Sequence, residues 1–317
     1  MAAKIDVDGL VAKLKDGDRR TIARMISLIE DASEELPDVI RAVSSLHGGA
    51  YTVGITGPPG AGKSTLVSAL VGVLRKRDLT VSVLAIDPTS PFSGGALLGD
   101  RLRMQEHATD PGVFIRSMAT RGRLGGLAWA APHALRILDA IGTDVIVVET
   151  VGVGQAEVDV AREADTTAVV LAPGFGDAIQ ANKAGLLEIA DIYVVNKADR
   201  EGASGAARDI KQMLHLGEAR DWEPPVLLTQ AVDGKGIEDL WDAIDRHRAH
   251  IEGSGELRRR RVARNAHEIV EIALGRIRRA IDDVGDKEVL KSLAEQVTDH
   301  GLDPYTAADK LLAEVER

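Results

Sequence analysis

At 317 residues the chain has room for one large α/β domain with helical extensions, or for two modest domains. Hydrophobic residues make up 44% and charged residues 28%, as in an ordinary globular protein, but aromatics are only 3%, so the core must be built from Ala, Val, Leu and Ile. The net charge of −10 argues against nucleic-acid binding, zero Cys excludes disulfides and thiolate metal sites, and neither a signal-peptide pattern nor an apolar run of the ~20 residues a membrane helix needs occurs, so the expectation is a cytoplasmic protein with no nucleic-acid and no membrane partner.

Residues 5–46 read as helical. Leu10, Val11, Leu14, Ile22, Met25, Ile26 and Ile29 recur at helical spacing, with Asp8 and Asp18 as candidate N-caps. The break His47-Gly48-Gly49-Ala50 precedes Tyr51–Thr56, the first candidate strand. Further strands are expected at Thr80–Asp87, Val113–Ser117, Asp144–Glu149, Thr166–Ala172, Ile192–Asn196 and Pro225–Thr229. Their alternation with helical patterns signals βαβ units and a mostly parallel sheet. Near-continuous Val, Ile and Leu signals strands covered on both faces. Beyond about residue 250 the texture becomes charged and periodic. Val262, Ala266, Ile269, Val270, Ala273, Ile277 and Ile281 predict one long amphipathic helix in need of a partner surface, and Asp303-Pro304 predicts the start of a second, short one. The run Arg258–Arg261 reads as a solvated helix face or a patch facing an acidic partner rather than a phosphate contact. The resulting division is an N-terminal helical extension (1–48), a nucleotide-binding domain (49–252) and a C-terminal helical arm (253–317).

Between the first strand and the helical pattern Thr65–Arg75 lies Gly57-Pro58-Pro59-Gly60-Ala61-Gly62-Lys63-Ser64, a complete G-x-x-x-x-G-K-S loop. Its glycines let backbone N–H groups turn toward phosphate oxygens, and the helix N-terminus adds partial positive charge. Lys63 neutralises the β- and γ-phosphates, and the Ser64 hydroxyl can ligate Mg²⁺. Gly57, Gly60, Ala61, Gly62, Lys63, Ser64 and Thr65 are therefore the expected phosphate site. Asp87 ends the second strand, and the Gly- and Ser-rich stretch 88–99 has the composition of a switch loop, which places Asp87 and Asp100 near the metal. Asp100 reads equally as the N-cap of a helix over 101–107. Glu149-Thr150-Val151-Gly152 occupies the place of a D-x-x-G loop with glutamate as the metal carboxylate, leaving the Gly152 N–H for the γ-phosphate. Lys63, Asp100 and Glu149 are the expected catalytic residues. No glutamine follows directly, since Val153 does and Gln155 comes later, so unaided hydrolysis is expected to be slow. Asn196-Lys197-Ala198-Asp199 matches N-K-x-D. A carboxylate at Asp199 accepts both N–H donors of guanine, whereas adenine would leave it unpaired; Asn196 and Lys197 can brace the loop and cover the base. Thr229-Gln230-Ala231 can approach the guanine oxygen through a backbone N–H.

Taken together, these segments resemble the MeaB/MMAA/ArgK family of P-loop GTPases. The resemblance rests on Gly54–Thr65, Asp87-Pro88-Thr89-Ser90, Gly94–Met104, Glu149–Gln155 and Asn196–Asp199, and it runs through both helical ends. It implies a P-loop NTPase fold with GTP/GDP and Mg²⁺ as cofactors. It also implies a homodimer through the C-terminal arm, and service as a chaperone that gates cofactor loading of an adenosylcobalamin-dependent acyl-CoA mutase. By the same resemblance Ser64, Asp87, Asp100 and Glu149 carry the metal, and Asp177, Gln180 and Lys183 belong to a further partner-facing switch. There Ala181-Asn182 and Ala184 depart from the pattern of members that serve methylmalonyl-CoA mutase, so an isobutyryl- or hydroxyisobutyryl-type mutase is an alternative partner. Two other classes compete: a metal-delivery GTPase, for which eight scattered His and no Cys supply no ligand cluster, and a kinase tied to amino-acid transport, for which no second substrate pocket is evident.

Overall fold

The computed structural model describes residues 6–31, 33–46, 48–87, 104–119, 126–150, 161–174, 188–216, 221–284 and 288–315. Seven strands, β1 (Tyr51–Thr56), β2 (Val81–Asp87), β3 (Val113–Ala119), β4 (Val145–Thr150), β5 (Thr166–Leu171), β6 (Ile192–Val195) and β7 (Val226–Leu228), form one sheet in the order β3-β2-β4-β1-β5-β6-β7. Every strand pair is parallel. The strand positions follow the apolar runs of the sequence, with ends shifted by one or two residues. The chain enters the sheet at its centre, moves to one side through β2 and β3, and returns past β1 to build the other side. The C-terminal end of β1 is thus a topological switch point, where open α/β sheets bind ligands.

Both faces are covered, which explains why every residue of β1, β4 and β5 is buried. On one face α4 (Lys63–Lys76) and α7 (Ile237–Gly253) pack Leu66, Leu70, Leu240 and Ile244 against Val53, Ile55, Val83, Val147 and Val170. On the other, three N-terminal helices, α1 (Val7–Lys15), α2 (Arg19–Glu30) and α3 (Leu36–Val43), join α5 (Gly126–Ala140) over Leu84, Ile86, Ile146 and Val148. A third cluster seats α6 (Ala203–His215) on Val169, Leu171 and Tyr193. Arg116 of β3 donates to Glu30 at 2.6 Å and to Ser27 at 3.0 Å, tying α2 to the edge of the sheet.

The caps differ from expectation at one end. Asp18 does cap α2, accepting from the Thr21 N–H at 3.0 Å, but α1 is capped by Asp6, through the Gly9 N–H at 3.0 Å, and Asp8 lies in its first turn. Composition alone does not separate two aspartates two residues apart, because each is favoured in a first turn.

The chain divides into two compact units, Met1–Arg264 and Asn265–Arg317. The boundary falls within α8 (Glu256–Val284), the long amphipathic helix. Asn265–Arg317 also holds α9 (Glu288–Thr298) and α10 (Pro304–Val315). Pro304 opens α10, and Asp303 caps it through the Tyr305 and Thr306 N–H groups at 3.0 Å each. The sequence pattern, which marks one long helix and a second at Asp303-Pro304, does not mark α9 as a separate element. Ile269, Val270, Leu274 and Ile277 along α8 are exposed.

The Arg258–Arg261 run is not a solvated face throughout. Arg260 grips Asp191 with two bonds of 3.0 Å, and Arg261 binds Asp165 at 2.6 Å, joined by Arg264 at 2.9 Å. Asp165 precedes β5 and Asp191 precedes β6, so the start of α8 is fastened to the N-terminal edge of the sheet. His247 of α7, with its side chain 0% exposed, lies between Thr166 Oγ1 at 2.7 Å and Asp191 Oδ1 at 3.3 Å. Burial alone would raise the pKa of both aspartates. Hydrogen bonds and charge from Arg261 and Arg264 at Asp165, and from His247 and Arg260 at Asp191, outweigh it and hold both below the usual carboxylate range.

Candidate functional site

The Gly57–Ser64 loop joins the end of β1 to the start of α4, as a parallel strand followed by a covering helix requires. Two of its glycines have no alternative. Gly57 has φ 139°, and a Cβ there would stand 2.0 Å from the Val170 carbonyl oxygen; Gly62 has φ 92°, and its Cβ would stand 2.5 Å from Asn196 Nδ2. Gly60 also has positive φ, 78°, but opens onto free space. Lys63 and Ser64 are the first residues of α4 and are buried, as is Ala61. The Lys63 ammonium donates to the carbonyls of Gly57 at 2.6 Å and Pro58 at 3.1 Å, across the mouth of the loop. Thr65 follows in the first turn.

Glu149 comes from β4, directly beside β1 in the register Ile55–Glu149. Side chains alternate across a strand, so Glu149 points to the α4 face, where Ser64 Oγ donates to its Oε1 at 2.6 Å. Glu149 is 1% exposed. A hydroxyl and a carboxylate converging at the head of a phosphate-loop helix are the oxygen donors that suit a small hard cation, so this pair fits Mg²⁺. Asp87 is the last residue of β2, whose preceding residue Ile86 is in register with Thr150 of β4. The sheet thus brings the ends of β1, β2 and β4 to one edge. Asp100 and Gly152, and the switch residues Asp177, Gln180 and Lys183, lie outside the described residues.

Asn196 follows β6 and links the phosphate loop to the last loop of the sheet. Its Nδ2 donates to the Ala61 carbonyl at 3.0 Å, and its Oδ1 accepts from the Ala231 N–H and the Thr229 hydroxyl, both at 3.1 Å. Lys197 adopts φ 58° and donates through Nζ to the Gly60 carbonyl at 2.6 Å, laying its stem beside the loop. Asp199 is exposed to solvent next to it. The residues Thr229, Gln230 and Ala231 run from β7 into a short 3-10 turn. Their three N–H groups donate to Val195 O at 3.0 Å, Lys235 O at 3.0 Å and Asn196 Oδ1. The sequence pointed to Asn196 as a brace, but not to Ala231 and Thr229 as its partners, because nothing local connects residues so far apart.

Several polar contacts here lack a motif. Ser68, one turn past Ser64, donates to Glu106 at 2.5 Å, and the His107 ring meets the Ser68 carbonyl at 2.9 Å; these bonds pin α4 to a 3-10 turn over Gln105–His107. Thr150 donates to Thr56 at 3.0 Å. The sequence signal for the second pair is a threonine at the last position of each strand.

A parallel sheet in this order, with a G-x-x-x-x-G-K-S loop leaving its central strand, defines a P-loop NTPase-type α/β protein. The chain belongs to the MeaB family: residues 22–284 match the family model described as the methylmalonyl Co-A mutase-associated GTPase MeaB. A Pyrococcus abyssi protein named provisionally as a GTPase is 51% identical over 313 residues, covering 98% of this chain and 97% of its own. The mitochondrial methylmalonic aciduria type A homolog of Mus musculus is 36% identical over 274 residues, 80% of this chain and 66% of that protein. Among solved structures, that of an LAO/AO transport system kinase superposes with a TM-score of 0.72 at 26% identity, covering 100% of both chains.

Proposed function

We propose that this chain is a GTP-hydrolysing chaperone that gates cofactor loading of an adenosylcobalamin-dependent acyl-CoA mutase. The observation that carries the mutase link is the family match over residues 22–284, whose description names methylmalonyl-CoA mutase. In this reading Lys63 exchanges its carbonyl partners for the β- and γ-phosphates, with the N–H groups of Gly60, Ala61, Gly62, Ser64 and Thr65 around them. Ser64 and Glu149 hold Mg²⁺, joined by Asp87 and Asp100, and Gly152 meets the γ-phosphate. When bound, the metal neutralises charge on the transferred phosphoryl group. Asp199 accepts the two N–H donors of guanine, Lys197 covers the base, and a backbone N–H of the Thr229-Gln230-Ala231 loop, released from its present protein acceptor, meets the guanine oxygen. Hydrolysis is slow without a partner, because Val153 rather than a water-orienting glutamine directly follows Gly152 in the sequence. Asp177, Gln180 and Lys183 face the mutase. The exposed apolar residues of α8, Ile269, Val270, Leu274 and Ile277, support a homodimer through the C-terminal arm.

The test is to mix the full chain with purified methylmalonyl-CoA mutase, and separately with an isobutyryl-type mutase, and to follow GTP turnover and mutase activity during cobalamin inactivation. One mutase should accelerate GTP turnover and keep its activity longer, and Lys63→Ala should abolish both effects. Labelled γ-phosphate appearing on a protein or small molecule instead of water would establish a kinase and overturn the proposal. Tight stoichiometric Ni²⁺ or Zn²⁺ binding would point to metal delivery instead.

A further inference from the structure

The phosphate loop follows β1 and the Glu149 motif closes the adjacent parallel strand β4, and a side-chain bond joins those strands at their last residues. Thr56 is the last residue of β1 and Thr150 the last of β4. The register pairs Ile55 with Glu149, so the two threonines come next, side by side. Both are 0% exposed, and the Thr150 hydroxyl donates to Thr56 Oγ1 at 3.0 Å. Because side chains alternate, this bond lies on the sheet face opposite Glu149 and its Ser64 partner.

Its place in the chain gives the pair leverage. Gly57 follows Thr56, and a Cβ at Gly57 would collide with Val170, so Thr56 is the last side chain available to hold β1 before the loop begins. Thr150 sits directly after the carboxylate expected to hold the metal. Among the described residues the strand register runs as far as Ile55–Glu149, and on the opposite face Ser64 of α4 meets Glu149. That contact must open or rearrange when a cation enters between its oxygens. The Thr56–Thr150 bond lies on the other face and needs no such rearrangement.

We infer that Thr56 and Thr150 are positioning residues that keep the phosphate loop and the Glu149 loop in register, so that they set the rate of GTP hydrolysis and contribute little to nucleotide affinity. The inference rests on the GTPase reading above. A buried hydroxyl pair gives up little when both members become apolar and isosteric, whereas a misplacement of about 1 Å at a reacting centre costs up to about 100-fold in rate.

The experiment compares full-length wild type, Thr150→Val, Thr150→Ser, Thr56→Val and the Thr56→Val/Thr150→Val double variant in Mg²⁺-dependent GTP hydrolysis, GDP affinity and thermal unfolding. The expected kcat is about tenfold lower in each single Val variant, with KM and GDP affinity within about twofold of wild type. Thr150→Ser should keep most of the rate, and the double variant should lose no more than either single one, as one shared bond requires. An unchanged kcat, an equal loss of GDP affinity, or multiplicative losses in the double variant would each overturn the inference. If Thr150→Val does not fold, Thr56→Val reads the same bond from its other end. A wild-type chain that hydrolyses no GTP at all would sink the GTPase reading itself, whereas active wild type with unaffected variants sinks only this pair's role.

Discussion

At Gly62 the phosphate loop becomes a helix, and two constraints meet on one atom that is missing. The residue is the N-cap of α4 with φ 92°, and a methyl group there would press to 2.5 Å on the amide nitrogen of Asn196. Asn196 cannot swing aside freely, since its other end holds Thr229 and Ala231. Gly62→Ala should therefore cost about 1–3 kcal/mol in unfolding free energy from the left-handed backbone alone. It should also weaken GDP binding more than any thermal-shift change predicts, read by calorimetric titration. Asp199→Asn acts differently, being exposed and outside this packing. It should leave stability within ±0.5 kcal/mol and shift preference from GTP toward xanthosine triphosphate by about 100-fold, measured by competition. An unchanged base preference would remove Asp199 from its assigned role. The glycines and Asp199 were legible because each motif encodes a local geometry. The Asn196–Ala231 bond was not, because it depends on β6 and β7 being neighbours.

The start of α8 is held to the sheet by charge as well as by apolar contact. Asp165, with its side chain 0% exposed, receives Arg261, 37% exposed, and Arg264, 14% exposed. Replacing Asp165 by Asn leaves the largely buried Arg264 without its counter-charge, while Arg261 is partly screened by solvent. The expected loss is about 3 kcal/mol in urea unfolding, at the lower end for a broken buried pair. Arg258→Ala, exposed on the same run and without an ion-pair partner among the described residues, should change stability by less than about 0.5 kcal/mol. If the two variants prove equally costly, the clamp does not carry the stability assigned to it. A run of four arginines on a helix looks the same in sequence whether it is solvated or paired. What separates Arg260 and Arg261 from their neighbours is helical phase relative to a sheet edge that is remote in the chain.

Across the whole molecule the same two aspartates shape the response to acid. Both have folded-state pKa values below the usual carboxylate range, so the unfolded chain binds protons first as pH falls. Their contribution is complete above the unfolded carboxylate value of about 3.9 and is lost as pH falls from there through the depressed folded values. Urea midpoints should thus change little on account of these groups from pH 7 to about pH 5, then fall steeply below about pH 4. The Asp165→Asn variant should start lower and show a flatter acid limb. A wild-type limb no steeper than the variant's would contradict the assignment of these charges.

Length, strand periodicity and motif spacing by themselves determined the parallel sheet, the order of its loops along the chain and the long amphipathic helix at its end. Each of those features is written in contiguous residues, where burial on one or both faces sets the apolar pattern. The tertiary structure decided what lies far apart in sequence: Arg264 reaching Asp165 across 99 positions, Asn196 joining the first and last loops, and Thr56 meeting Thr150. The same structure reassigned the first cap from Asp8 to Asp6 and turned part of an arginine run inward. The physical reason is common to all of these. A side chain's type fixes which partner would satisfy it, but only the packing of strands and helices brings one such partner within about 3 Å and removes the water that would otherwise serve instead.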